Sequence, residues 1–154
     1  MFKRILVPID FSEPSDAALD HARTLATRFG ASLHLLHVAE DPYRAFYSAE
    51  VFVPEIEGLR DSILEDATRR MKDRLRTTER DEGAVTVSAI IGTPAGSIVE
   101  YAGGNDIDLI VMGTHGRGGM SHLFVGSVAE RVVRMAPCPV LTVRHPAVRG
   151  AKAA

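Results

Sequence analysis

Five short apolar runs, separated by stretches of helical periodicity, constrain the fold of this chain more than any other feature. The runs are Arg4 to Ile9, Ser32 to Val38, Val85 to Ile91, Leu109 to Met112 and Val140 to Val143. All but the third are too continuously apolar for a sheet with one face in water, as expected of parallel strands covered on both faces. Between the first two, Ala18, Ala22, Leu25, Ala26 and Phe29 fall on one side of a helix that stops at Gly30. The stripe Leu59, Ile63, Ala67, Met71 and Leu75 predicts a second helix over about Ile56 to Glu82. A third opens at Thr93-Pro94, where threonine can cap and proline suits the first turn, and a fourth opens at Ser127. Strand and helix therefore alternate throughout. Right-handed crossovers then give an α/β fold, a doubly wound, Rossmann-like open sheet of five parallel strands with helices on both faces.

A chain of 154 residues suits one domain. We place it at residues 1–145, with 146–154 as a flexible basic tail carrying Arg149 and Lys152. The net charge of −2, with no long run of one sign, argues against a nucleic-acid footprint. No apolar run has the length of a membrane span, and the N-terminus runs into a strand without the pattern of a signal peptide. The single cysteine, Cys138, rules out an intrachain disulfide and fits a small buried residue at a strand entrance. The expected setting is cytoplasmic. The longest connection, residues 39–55, holds Tyr43, Phe46, Tyr47 and Phe52. It reads either as a lid or partner surface or as a flap packed over the sheet edge.

Ligands of open parallel sheets sit beyond the carboxyl ends of the strands, where the strand order reverses. The first run ends in Pro8-Ile9-Asp10-Phe11-Ser12 and the second in His37-Val38-Ala39-Glu40-Asp41. The fourth runs into Gly113-Thr114-His115-Gly116, with Gly118 and Gly119 close behind. Asp10 can accept from ribose hydroxyls or approach a phosphate-bound magnesium ion; capping the helix before Pro14 is the alternative. Glycines let a ligand approach backbone with no Cβ in the way. Gly126-Ser127 stands at a helix start, where free N–H groups and the dipole favour an anion. Ser127-Val128-Ala129-Glu130 also reads as a capping box, which needs no ligand. The chain lacks G-x-x-x-x-G-K-[ST], and it lacks G-x-G-x-x-G after its first strand, so neither a P-loop nor the usual dinucleotide site is expected. No histidine pair has metal-ligand spacing on one element. His115 is the one base candidate beside the glycine loop.

The pattern Gly113-x₂-Gly116-x₉-Gly126-Ser127 resembles the ATP-binding signature of the universal stress protein family. Three further segments share the likeness: Ile5 to Ser12, Asp108 to Arg117 and Ala136 to Val143. Together they extend it from about Phe2 to His145. The resemblance implies the strand order 3-2-1-4-5 and a homodimer. It also implies ATP, or AMP or cyclic AMP in its place, at the ends of the first and fourth strands, with magnesium accompanying ATP. Carried over by position, Asp10 holds the ribose, Pro8 lines the pocket and Val38 meets the adenine through its backbone. Met112 and Gly113 sit near ribose and phosphates, and His115, Gly116, Gly126, Ser127 and Val128 approach the phosphates.

In that strand order the run Val140 to Val143 lies at a sheet edge with no charge to blunt it. Antiparallel pairing with the same strand of a second copy closes both edges, which predicts a homodimer. The leading function is an adenine-nucleotide-binding stress or signalling module. The alternatives are a slow ATPase or autophosphorylating enzyme using Asp10 with magnesium, and a nucleotide-free dimeric scaffold acting through protein partners.

Overall fold

The computed structural model describes residues 1–44, 46, 54–81, 84–114 and 126–144. Among these the chain runs β1 (Arg4–Pro8), α1 (Glu13–Phe29), β2 (Ser32–Ala39), α2 (Leu59–Lys72), α3 (Thr77–Asp81) and β3 (Val85–Ile91). It continues through α4 (Pro94–Gly104), β4 (Leu109–Gly113), α5 (Ser127–Met135) and β5 (Val140–Val143). The strands form one sheet in the order β3-β2-β1-β4-β5, every neighbouring pair parallel. This is the expected doubly wound arrangement, with the reversal of strand order between β1 and β4.

Central strands carry the driest sequence. Ile5, Leu6 and Val7 of β1 and Ile110 and Val111 of β4 have no exposed surface. Side chains alternate between two layers. Ile5, Val7, Leu33, Leu35 and Val111 pack with Ala18, Leu19 and Ala22 of α1 and Met71 of α2. Leu6, Leu36, Ile110 and Met112 pack with Ile98 of α4 and with Ala129 and Val132 of α5. The third run escapes the continuous apolar pattern because β3 is an edge strand with no fully buried residue.

Local chemistry fixes the helix ends. Ser12 caps α1, its side chain accepting from the Ser15 N–H, and Gly30 closes the helix at φ 64°. The helix expected over Ile56 to Glu82 is broken. Gly58, at φ 74°, delays its start to Leu59, and the chain leaves helical geometry after Lys72 before α3 begins at Thr77. The stripe continues across the break, because Leu75 still packs against the core. The break is held from outside. Arg23 of α1 donates to the Arg74 carbonyl (2.6 Å) and forks onto Glu79 (2.7 and 2.9 Å), whose carboxylate also accepts from the Arg76 N–H. Arg74 in turn reaches Asp16 at 2.7 Å. These tertiary contacts outweigh the helical propensity of the segment.

The capping box expected at Ser127-Val128-Ala129-Glu130 does not form. Gly126 is the cap residue, Ser127 is already the first helical residue, and no side chain caps the start of α5. Thr93 does occupy the cap position of α4 with Pro94 behind it, but its hydroxyl makes no capping bond.

Candidate functional site

The carboxyl ends of β1 and β4 part company. Their register holds at Ile5↔Leu109 and Leu6↔Ile110, whereas the β1–β2 ladder runs on to Pro8↔Leu36. Pro8 has no N–H to extend a ladder. Beyond that point several of the expected residues lie on the α4/α5 side of the sheet. Met112 belongs to that layer, and Val38 and Val128 pack against it. Pro8 follows Leu6 on the same side by strand alternation.

The start of α5 is tied to the end of β4. The Gly126 N–H donates to the Thr114 carbonyl at 2.5 Å, and the Thr114 N–H donates to Val143 at 3.0 Å. Thr114 is itself buried. The chain therefore leaves β4 and re-enters α5 through one hydrogen-bonded gate, and the uncapped first turn at Gly126, Ser127 and Val128 faces the same end of the sheet. N–H groups without side-chain caps, at the positive end of a helix dipole, form an anion-binding arrangement. His115 and Gly116 lie outside the described residues, as do Gly118 and Gly119.

Asp10 is not the helix cap; Ser12 is. The Asp10 carboxylate accepts from both the Ser12 N–H (3.0 Å) and the Ser12 hydroxyl (2.5 Å), a turn that leads into α1 and joins the carboxylate to the capping residue. Gly113 is required by packing alone. A Cβ there would lie 2.8–2.9 Å from Cβ, C and O of Pro14, so glycine lets the first turn of α1 rest against the end of β4.

Sequence reasoning missed the scaffold behind Asp10. Phe11 adopts φ 66°, in the left-handed region that costs an ordinary residue roughly 1–2 kcal/mol. Its ring lies 4.6 Å from that of His37, with the Arg70 guanidinium 3.8 Å and that of Arg74 5.0 Å from its centroid. Nδ1 of His37 meets the Ile9 carbonyl at 2.7 Å, and the Ile9 N–H donates to Leu36 at 2.8 Å. No spacing in the sequence links Phe11 to α2; only the crossover brings them together.

Other residues of interest are structural. Asp108 sits at the opposite end of the sheet, where it accepts from the Lys3 and Arg4 N–H groups (2.7 and 2.9 Å), bonds that hold its carboxyl below the ordinary range. Burial pushes the Cys138 thiol up, as suits an inert side chain. Nδ1 of His34 lies 3.1 Å from the Tyr101 hydroxyl, and burial, with Arg4 nearby, lowers its pKa. In the aromatic stretch, Tyr43 is buried and its hydroxyl accepts from the Ile56 N–H at 2.6 Å. Arg60 bridges Asp41 and Glu55 beside the Tyr43 ring, so this part of the stretch is a packed flap. Phe46 is exposed, while Tyr47 and Phe52 lie outside the described residues. Among the described residues no group of three or more His, Cys, Asp or Glu could hold a metal ion, and no helix is long and apolar enough to cross a membrane.

The family model described as the universal stress protein family matches residues 1–144. The chain is similar to universal stress protein MJ0531 of Methanocaldococcus jannaschii, at 34% identity over 95% of this chain and 84% of the relative. It is similar to YxiE of Bacillus subtilis at 34% identity, over 94% of this chain and 100% of that protein. Among solved structures it resembles MJ0577 of M. jannaschii, with a TM-score of 0.76 at 30% identity over 94% of this chain and 97% of the other. A universal stress protein solved in complex with cAMP shares the fold, with a TM-score of 0.60 at 24% identity over 93% of this chain and 97% of that one.

Proposed function

The chain belongs to the universal stress protein family, and on that premise we propose that it binds an adenine nucleotide at the carboxyl ends of β1, β2 and β4. The observation that carries this reading is the uncapped first turn of α5, tied by Gly126 to Thr114 at the end of β4. In this reading phosphates meet the N–H groups of Ser127 and Val128, and His115 and Gly116 are the further residues proposed to approach them. Asp10 takes the ribose hydroxyls, Pro8, Met112 and Gly113 line the floor, and the backbone of Val38 reads the adenine. ATP is the favoured ligand, with AMP and cyclic AMP as competitors. Were magnesium to accompany ATP, Asp10 would be the residue to approach it, in place of its ribose role. The function is nucleotide-dependent signalling in a stress response.

Gly126→Val tests this cleanly, since φ −56° and ψ 149° are open to any residue. Calorimetry with ATP, AMP and cyclic AMP should show affinity falling at least about tenfold, near 1.4 kcal/mol, with the melting temperature preserved. Equal binding by wild type and variant overturns the site. Phosphate release that persists through repurification and vanishes in Asp10→Ala would make the protein a slow ATPase.

The same reading includes a homodimer through β5. Among the described residues this strand pairs only with β4, and Leu141 is 40% exposed. Pro139 and Val143 accept from Ile110 and Thr114, so the backbone groups of 139, 141 and 143 face β4. Those of Val140 and Thr142 therefore face the open edge. Val143 is buried, so edge blocking belongs at Thr142. Thr142→Pro removes an outward N–H without breaking a bond to β4. Sedimentation should show a folded monomer; an unchanged dimer overturns this interface.

A further inference from the structure

We propose that Phe11 is a positioning residue for Asp10, locked in its left-handed conformation by His37 and Arg70. The inference rests on the ribose role given to Asp10 above, but its structural half can be tested without nucleotide.

A phenylalanine at φ 66° occupies backbone space that favours glycine, and it persists only where its surroundings hold it there. Here the holding groups are visible. The ring lies 4.6 Å from that of His37 at an interplanar angle of 35°. The Arg70 guanidinium lies 3.8 Å from the ring centroid, close enough for cation–π attraction. Phe11 also packs against the buried cluster to which Val7, Ile9 and Leu35 belong. His37 pins the Ile9 carbonyl, so the residue before Asp10 and the residue after it are both anchored to β2 by one imidazole.

The effect falls on Asp10, the one residue between these anchors. The reversal at Phe11 brings the Ser12 N–H and hydroxyl back to Oδ1 of Asp10. With that oxygen engaged and the flanking residues fixed, the carboxylate has little rotational freedom left to lose when a ribose binds, which is pre-organisation. The device also reaches α2 through Arg70 and the break after it through Arg74, which both approach the ring, and Arg74 is held by Asp16. The orientation of Asp10 thus depends on a helix that contributes nothing to the proposed pocket itself.

Phe11→Gly separates backbone freedom from the ring, because glycine adopts φ 66° without cost but has nothing to lock. In the nucleotide-free protein, amide exchange at Ser12 should accelerate about tenfold, a loss of 1.4 kcal/mol in local protection, while Ile9 keeps its rate. Unchanged Ser12 exchange overturns the proposal. On the ligand side, Phe11→Gly should weaken ATP about tenfold but 2′,3′-dideoxy-ATP less than twofold, and should add nothing in an Asp10→Ala background. Equal losses on both nucleotides, or additivity with Asp10→Ala, would mean that Phe11 supports the fold alone. Wild-type protein that binds the two nucleotides equally would instead overturn the ribose role of Asp10, and Ser12 exchange would then decide Phe11.

Discussion

Gly113→Val is expected to destabilise the protein by about 3 kcal/mol or more, the upper range for overpacking a filled interior. The atoms in the way are Cβ, C and O of Pro14 at 2.8–2.9 Å, two of them backbone, so no rotamer change makes room. Either β4 or the start of α1 must shift. Pro14 stands two residues after the Ser12 cap in the first turn of α1, and Ser12 is bonded to Asp10, so the displacement passes into the candidate site. Urea denaturation should show a lower midpoint with an unchanged slope. Gly103→Ala is the control, since a side chain there meets nothing within 4 Å and alanine favours a helix. Loss of less than about 0.5 kcal/mol at Gly113, the range of ordinary surface changes, would show that β4 and α1 are not in tight contact.

Arg23→Ala is expected to cost about 2–4 kcal/mol near neutral pH, toward the range for breaking a buried ion pair. Its side chain is 12% exposed and that of Glu79 14%, and the pair is forked. Removing Arg23 strands a carboxylate and leaves the Arg74 carbonyl without its bond from α1. The pH dependence follows. Burial by itself raises the Glu79 pKa, but the hydrogen bond from Arg23, the Arg76 N–H and both positive charges hold it below 4.5. A folded-state pKa below the unfolded one gives stability that is present above about pH 4.5 and is lost as pH falls through the folded value. In Arg23→Ala only the Arg76 N–H and charge are left to oppose the burial, so the gap between variant and wild type should be widest near pH 7 and narrow below pH 4.5. Thermal unfolding across that range checks it; a gap independent of pH would assign the loss to the Arg23 side-chain packing and the Arg74 carbonyl.

The sequence was most legible where burial dictates residue type. β1 and β4 had to be continuously apolar to lie between two helix layers, and the strand boundaries at Val85–Ile91 and Val140–Val143 came out as read. Gly30 was equally plain, because a left-handed helix end favours glycine. The break near Asp73 was invisible for the opposite reason: its cause is a set of side chains on α1, while its own apolar stripe stays in phase through Leu75. Ser127 illustrates a third case. Its letters match a capping box, but Gly126 takes the cap position once its N–H is drawn to Thr114, and the box shifts out of register. For the site, the glycines and Asp10 could be picked out by composition and position. Phe11, His37 and Arg70 could not, since nothing in a one-dimensional spacing reports a left-handed φ or a contact across a crossover.

The bond between Gly126 and Thr114 has a consequence for how such a protein can diversify. Thr114 and Gly126 are joined directly, so the end of β4 and the start of α5 are held together by a backbone bond of their own. A backbone bond uses no side chain, so substitutions at Thr114 that keep its N–H and carbonyl in place leave this junction a partner on each side.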